Sequence, residues 1–410
     1  MIKFPRDFLW GAATSAYQVE GGNFNSDWCR WEKEAVKEEC GAACRHYELY
    51  KKDFDLAKSL HHNAHRFSIE WSRIEPKEGR FSRKELKHYL DVILALRKRG
   101  IEPIVTLHHF TNPAWFAESG GWVEARSVDR FLRYCEFLTR VLARHVRYWI
   151  TINEPTIYLS HAYIIGVWPP QEKSYPKAAA VEENLASAHI RAYRAMHKIY
   201  KGLGLGEPCI GIAQNVIAFV PYKRKLKNRF TAFLRDRVFN LGFIERIMRQ
   251  GILPQKNMDF IGVNYYSRQL IELKEFGLGN LATDVCDNTR SEKNSLGWDI
   301  YPKGLYDVLM ELKKFKLPIM ITENGICTSR DNLRWKYIYD HLKNIHRAMK
   351  GGVSVTGYLY WSLLDNFEWD KGFGPRFGLI GVDRKTYKRT VKRSARKFAQ
   401  VCKTGILKGG

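Results

Sequence analysis

Short, nearly continuous apolar runs alternate with longer amphipathic stretches along the whole chain. The runs fall at 8–14, 64–70, 101–108, 148–153, 209–215, 259–265, 318–322 and 355–362. Runs of this length without strict alternation fit parallel strands buried on both faces. Between them, apolar residues recur at helical spacing. Leu86, Tyr89, Leu90, Ile93 and Leu94 share one face, as do Val128, Phe131, Leu132, Cys135, Leu138 and Leu142. Trp335, Ile338, Tyr339, Leu342 and Ile345 repeat the pattern near the end. Eight strand–helix alternations without a linker predict an α/β fold, a single (β/α)8 barrel spanning residues 1–410 as one domain. No Gly-rich phosphate loop follows any run, which counts against a doubly wound sheet.

Composition changes this picture little, and charge changes it more. The chain has 45% hydrophobic and 27% charged residues, the balance of a globular protein. Its formal net charge is +24, which would suit nucleic acid or an anionic membrane surface. Part of the charge lies in clusters at 223–227 and 384–397. The second reads as one helix, with Lys388, Lys392 and Arg396 stacked at i, i+4 spacing on a solvated cationic face. No nucleic-acid motif accompanies it, and no nucleic-acid partner is expected; peripheral association with an anionic membrane stays open. The eight Cys show no metal-finger spacing and read as reduced, buried thiols. Met1-Ile-Lys-Phe-Pro5 leads almost directly into the first run, so no cleavable leader and a cytoplasmic protein are expected.

In a (β/α)8 barrel, the chemistry sits at the C-terminal ends of the strands. Gln18 follows the first run, and Arg66 lies in the second. The third ends at His108-His109, the fourth at Asn153-Glu154-Pro155, the sixth at Asn264-Tyr265-Tyr266, the seventh at Glu323-Asn324-Gly325 and the eighth at Trp361. Two carboxylates thus close two strands on opposite sides of one mouth, the arrangement that glycoside hydrolysis requires. Either Glu alone could be a structural ion pair. Asn, His and Trp around both favour a sugar ligand, whose C–H faces stack on rings while its hydroxyls need donors and acceptors. After the last strand, Trp361-Ser-Leu-Leu-Asp-Asn-Phe-Glu-Trp369 places Asp365, Asn366 and Glu368 among aromatics, and burying so many polar groups costs several kcal/mol unless partners satisfy them.

Taken together, these residues resemble glycoside hydrolase family 1. The segments that carry the resemblance run in order over nearly the whole chain. They are Phe8-Leu-Trp-Gly-Ala-Ala-Thr-Ser-Ala-Tyr-Gln-Val-Glu-Gly21, Arg66-Phe-Ser-Ile-Glu-Trp-Ser-Arg73, Thr151-Ile-Asn-Glu-Pro155 and Asp259-Phe-Ile-Gly-Val-Asn-Tyr-Tyr266. Gly297-Trp-Asp-Ile-Tyr-Pro302, Ile321-Thr-Glu-Asn-Gly325 and Arg376-Phe-Gly-Leu-Ile-Gly-Val-Asp383 complete them. The chain looks most like the compact archaeal β-glycosidases, many of them thermophilic. The resemblance implies Glu154 as acid/base and Glu323 as nucleophile. It implies that Arg66 and Tyr266 hold the nucleophile, with Arg66 lowering its pKa, and that Asn264 stands behind the pair. Asn153 is implied to contact the sugar 2-hydroxyl, with Gln18, His109, Trp361, Glu368 and Trp369 forming the rest of the sugar subsite.

The branch of the family that acts on 6-phosphosugars has Ser where this chain has Glu368, with Lys and Tyr seven and nine residues later. This chain has Pro375 and Phe377 there, which favours a neutral sugar. The expected activity is exo-hydrolysis of β-glucosides, the expected partners being small β-glycosides or oligosaccharides, with β-galactosides and β-mannosides also open. It would proceed with retention through a glycosyl-enzyme, with transglycosylation open to it, and with neither metal nor organic cofactor. The alternative is a barrel that has lost catalysis and binds sugar or an anionic surface.

Overall fold

The computed structural model describes residues 1–35, 38–249, 256–277, 280–281, 284–286 and 290–409. Eight parallel strands close into a barrel: β1 (Leu9–Ala13), β2 (Ala64–Ser68), β3 (Glu102–His108), β4 (Tyr148–Asn153), β5 (Cys209–Pro221), β6 (Phe260–Ile271), β7 (Ile319–Asn324) and β8 (Val355–Trp361). Each pairs with its sequence neighbours, and β1 closes the ring by pairing Ala13 with Trp361 of β8. All eight apolar runs become strands. β5 and β6 run well past the expected ends at 215 and 265, staying paired through Pro221 and Ile271 beyond an irregularity between Val216 and Ala218.

Inward-facing residues such as Ile104, Ile150, Ala213, Phe260, Met320 and Leu359 form one buried cluster. A larger cluster lies between strands and helices. The helix Arg83–Lys98 starts at Ser82, whose Oγ accepts from the backbone N–H of Glu85 at 3.3 Å, satisfying one orphan donor of the first turn. It buries Tyr89, Val92, Ile93 and Leu96, whereas Leu94, expected on that face, is exposed. Helices Ser127–Leu142 and Asp331–Lys350 bury most of the expected faces, with Leu132, Trp335 and Tyr339 only partly covered.

The basic segment 384–397 is not one helix. Ile380–Val382 and Arg389–Val391 pair as an antiparallel hairpin, and the helix Arg393–Thr404 begins only afterwards. Asp383 closes the turn, its Oδ1 accepting from the backbone N–H of Lys385 and Thr386 and from the Thr386 hydroxyl. Arg389, buried, reaches both oxygens of buried Asp53 at 2.7 and 2.9 Å. Lys392 donates to Asp365 at 2.8 Å. The i, i+4 spacing of Lys388, Lys392 and Arg396 therefore does not describe a shared helical face. In the other basic cluster, the side chain of Arg224 lies outside the described residues.

No disulfide joins any cysteines among the described residues, and Cys29, Cys40, Cys44, Cys135, Cys327 and Cys402 are buried. Among the described residues, no helix is long and apolar enough to cross a membrane, and no group of His, Cys, Asp and Glu could hold a metal ion.

Candidate active site

Glu154 follows β4 in a left-handed conformation, φ 44° and ψ 57°, immediately before Pro155 at the first turn of a short helix. A proline disfavours the right-handed helical region for the residue before it. A non-glycine residue in the left-handed region costs of order 1–3 kcal/mol, so the fold holds this carboxylate in place against local preference. Its backbone N–H donates to Ala213 of β5 at 2.7 Å, which fixes the turn to the barrel rim. Glu323 sits in β7, one residue before its end. Two residues further on, a Cβ on Gly325 would stand 1.8 Å from the Trp361 carbonyl oxygen, so only glycine lets β7 leave the barrel this close to β8.

The two glutamates have different neighbours. Arg66 donates from Nη1 to Glu323 Oε1 at 2.5 Å, and the Tyr266 hydroxyl donates to Oε2. Arg66 itself is held by Thr106, whose hydroxyl accepts from Nε at 3.0 Å, and by Asn153, whose Oδ1 accepts from Nη2 at 2.6 Å. Glu154 has no cation in contact among the described residues. Its Oε1 accepts from Asn264 Nδ2 at 2.8 Å and Asn215 Nδ2 at 3.0 Å. The Asn264 amide is oriented by Thr322, whose hydroxyl donates to Asn264 Oδ1 at 2.7 Å. With two N–H donors on Oε1, a proton on Glu154 belongs on Oε2.

Burial, and next the nearby charge of Glu323, push the Glu154 carboxyl up to about 8. Burial raises Glu323 as well, while Arg66 and Tyr266 pull it back. Arg66 thus lowers this group in the expected sense, but loss of water outweighs the guanidinium and the net direction is upward. The order within the pair follows from the contacts, because Arg66 touches Glu323 and acts on Glu154 only as the smallest of its causes.

The other expected residues gather around this pair. Asn153 Oδ1 takes donors from Arg66 and Asn264, so its Nδ2 faces His109 Nε2 at 3.2 Å. His109 is buried and its pKa is driven well below the usual range by loss of water, with Arg66 adding to the effect. A neutral ring accepting at Nε2 carries its proton on Nδ1, and Nδ1 has no hydrogen-bond partner among the described residues. The ring lies nearly parallel to Trp361 and Trp369, each with centroids 6.0 Å away. Trp369 also packs on Tyr17, Trp28 and Phe110, so much of this indole belongs to an aromatic core.

Gln18 is fully buried on the helix Ala16–Glu20, its Nε2 donating to the Phe367 carbonyl at 2.6 Å and its Oε1 accepting from Ser15. Of the three polar residues expected to need partners after β8, two are satisfied by the protein. Asp365 accepts from Lys392 and from the Gly378 N–H, and Asn366 donates to Ser362. Burial lowers the Lys392 ammonium to about 8, with Asp365 opposing that fall. The third, Glu368, keeps some solvent contact, yet its Oε2 is buried without a hydrogen-bond partner among the described residues. Burial, then the charges of Glu323 and Glu154, push it up to about 8.

All eleven expected site residues thus converge on one mouth. Asn215 was missed, although it ends the fifth apolar run just as Asn153 ends the fourth. Asking for the polar residue at every strand end would have found it.

The chain matches the family model described as glycosyl hydrolase family 1 over residues 1–258 and 249–406. It is 32% identical to Beta-glucosidase A of Thermotoga maritima, covering 99% of each chain. It is 31% identical to a 6-phospho-beta-galactosidase of Clostridium acetobutylicum, covering 98% of this chain and 97% of that one. The structure superposes on a beta-glycosidase from Pyrococcus horikoshii with a TM-score of 0.92 and 38% identity, covering 100% of this chain and 96% of the other.

Proposed function

The chain belongs to glycosyl hydrolase family 1, and from that premise we propose that this glycoside hydrolase is a retaining exo-β-glycosidase, one catalytic unit over residues 1–410. Its substrates are terminal β-D-glucosides and β-galactosides, with β-mannosides a further candidate. The observation that carries this reading is the asymmetry of the two buried glutamates. Glu323 has Arg66 and Tyr266 at its two oxygens, and Glu154 has only amide donors on one.

Glu323, kept ionised by Arg66, attacks the anomeric carbon while Glu154 releases its Oε2 proton to the departing oxygen. The glycosidic bond breaks, an α-linked ester forms, and the aglycone leaves as an alcohol. Glu154, now a carboxylate, takes a proton from water as that water attacks the same carbon, and Glu323 is freed. Another alcohol in place of water gives transglycosylation. No step calls on a metal or an organic cofactor.

Asn153, Gln18, His109 and Glu368 supply the polar rim of the sugar subsite, and Trp361 with Trp369 its aromatic walls. His109 offers a donor at Nδ1 and Glu368 an unused oxygen, a combination suited to hydroxyls. Similarity to both a β-glucosidase and a 6-phospho-β-galactosidase leaves the choice of substrate to these side chains. Position 368, with Pro375 and Phe377 nearby, supplies no cation for a phosphate, which supports a neutral sugar. Small glycosides of this kind are the expected partners of an enzyme working in the cytoplasm.

The test is a 2-deoxy-2-fluoro-β-glucosyl fluoride inactivator, followed by intact mass and peptide mapping. The expected result is a single glycosyl adduct on the peptide containing Glu323. An adduct elsewhere, or none with the gluco, galacto and manno reagents alike, overturns the assignment.

A further inference from the structure

The helix Leu226–Arg235, between β5 and β6, turns its apolar face outward. Leu226, Phe230 and Phe233 fall at i, i+4 and i+7 on one face and are 81%, 55% and 59% exposed. Val238, in the next turn, is 64% exposed. The inward face instead carries Asn228, Thr231, Ala232 and Arg235.

That orientation is fixed by the polar residues. Arg235 donates to the carbonyls of Leu281, Asn280 and Asp284 at 2.6, 3.2 and 2.8 Å. Asn228 donates to the Tyr222 carbonyl at 2.6 Å and accepts from the Leu273 N–H at 3.0 Å. Turning the helix over to bury its phenylalanines would break all five bonds and leave the carbonyls of three residues without this donor.

Cations surround the apolar face. Between residues 222 and 241 the sequence has seven Lys and Arg against one acid, and Lys223, Lys225, Arg229 and Arg237 are exposed. The nearest acids are engaged. Asp236 accepts from Asn240 at 2.5 Å, and Glu245 takes Arg237, Arg249 and Lys314 at 3.1–3.4 Å. Arg237 is thus paired, but no ion pair to an acid is seen for Lys223, Lys225 or Arg229 among the described residues, and exposed phenylalanines flanked by such cations match a surface that is apolar beneath and anionic at its boundary.

We propose that this face docks peripherally on an anionic lipid bilayer, with Phe230 and Phe233 entering the interface and the flanking cations at phosphate level. A second copy of the chain fits it poorly, since a two-fold contact would set these cations against their own copies. The patch is joined to the catalytic mouth. The Phe239 carbonyl accepts from Thr156, two residues past Glu154, at 3.3 Å, and from Gln214 at 2.9 Å. Docking would therefore place the Glu154 side of the mouth toward the membrane.

The test is sedimentation with vesicles of phosphatidylcholine alone or with about 30 mol% phosphatidylglycerol. The full chain is compared with Phe230→Ser/Phe233→Ser and with Lys385→Glu/Lys388→Glu on the hairpin beyond β8. The expected result is binding to the anionic vesicles, weakened at least about tenfold by the phenylalanine pair and by less than about twofold by the hairpin pair. Hydrolysis of a soluble aryl β-glucoside should be unchanged in both, which shows that they fold. Weakening by the hairpin pair but not by the phenylalanine pair would mean adsorption through net charge alone, and would also overturn the proposal. Binding indifferent to the phenylalanines overturns the proposal. So does an absence of vesicle binding, whether or not the phenylalanines prove to mediate self-association in analytical ultracentrifugation.

Discussion

Replacing Glu323 by Gln should lower the pKa of Glu154, and the size of the fall can be worked out. Two causes hold Glu154 up at about 8, burial first and the charge of Glu323 second. The substitution removes only the second. In a retaining site the carboxyls stand about 5–5.5 Å apart, and at an effective dielectric of about 20 two such charges interact by about 3 kcal/mol. That corresponds to a fall of about two pKa units. Burial persists, so the group should stay above an ordinary glutamate. The assay is a 13C titration of carboxyl-labelled glutamate, with the Glu154 signal assigned by its loss in Glu154→Gln. In the unmodified enzyme kcat/KM should decline as pH rises through about 8, because the acid must be protonated to act. The same charge disappears when Glu323 becomes an ester, so the fall would also convert the acid of the first step into the base of the second. A change of less than about half a unit, or a rise, would refute the reasoning, because two charged carboxylates in one buried site must repel at this distance.

Glu154→Ala should cost about 10²–10⁴-fold on alkyl glucosides but far less in the glycosylation step of dinitrophenyl glucosides, whose leaving group needs little protonation. Equal losses across a leaving-group series count against its role as acid. Combining Glu368→Ser, Pro375→Lys and Phe377→Tyr should raise the preference for 6-phosphoglucosides over glucosides by at least about 100-fold, read as a ratio of kcat/KM values. An unchanged ratio would place sugar selection elsewhere. Buried His62 and His341 are held down to about 3, and His108 and His189 to about 4, chiefly by loss of water. Their unfolded counterparts bind protons near pH 6.5 and the folded ones do not until pH 3–4, so stability present above pH 6.5 is lost as pH falls through that window. Each group contributes up to a few kcal/mol. Calorimetry should show a steep drop in Tm between about pH 6.5 and 4, and a flat profile would mean that these rings are not buried neutral.

The barrel was legible because parallel strands buried on both faces leave apolar runs that need no alternation to be seen. Strand length beyond the mouth was not legible. Past Asn215 and Tyr265, β5 and β6 pair with each other outside the closed ring, and nothing in their composition marks where the ring ends. The candidate site was legible to the extent that the C-terminal ends of strands carry the chemistry: His109, Asn153, Glu154, Glu323 and Trp361 lie where that rule puts them, whereas Arg66, Asn264 and Tyr266 lie inside their strands and Gln18, Glu368 and Trp369 lie beyond theirs. Electrostatics was legible in sign for Glu154 and, for Glu323, in the pull of Arg66 but not in the net direction. A sequence reveals that an arginine is at hand, but it does not show how much water the carboxylate has lost. Partner identity was hidden for a similar reason. Asp365, Asn366 and Glu368 look alike in the sequence, yet Lys392 and Ser362 satisfy the first two and leave only Glu368 with an open oxygen.

Spacing alone misread the basic segment near the C-terminus, and the reason bears on what a net charge of +24 means. Lys388, Lys392 and Arg396 stand four apart, but Asp383 gathers three donors and turns the chain before any helix can start. Once the hairpin forms, Arg389 points at Asp53 and Lys392 at Asp365, both largely withdrawn from water. The first pair ties the hairpin to the helix His46–Ser59, and the second ties the start of that last helix to the loop bearing Glu368 and Trp369. Removing either partner would leave a charge uncompensated in a poorly solvated place, which typically costs about 3–5 kcal/mol. These cations are therefore part of how the sugar subsite is held, and they are not available to an outside ligand. The cations around Phe230 and Phe233 differ in the physical respect that matters: they are exposed and border apolar rings that no part of the described chain covers. The clamp cations are each matched by an acid and add nothing to the surplus, whereas the rim beside the mouth belongs to it and combines exposure with bordering apolar rings, as binding an external anionic surface requires.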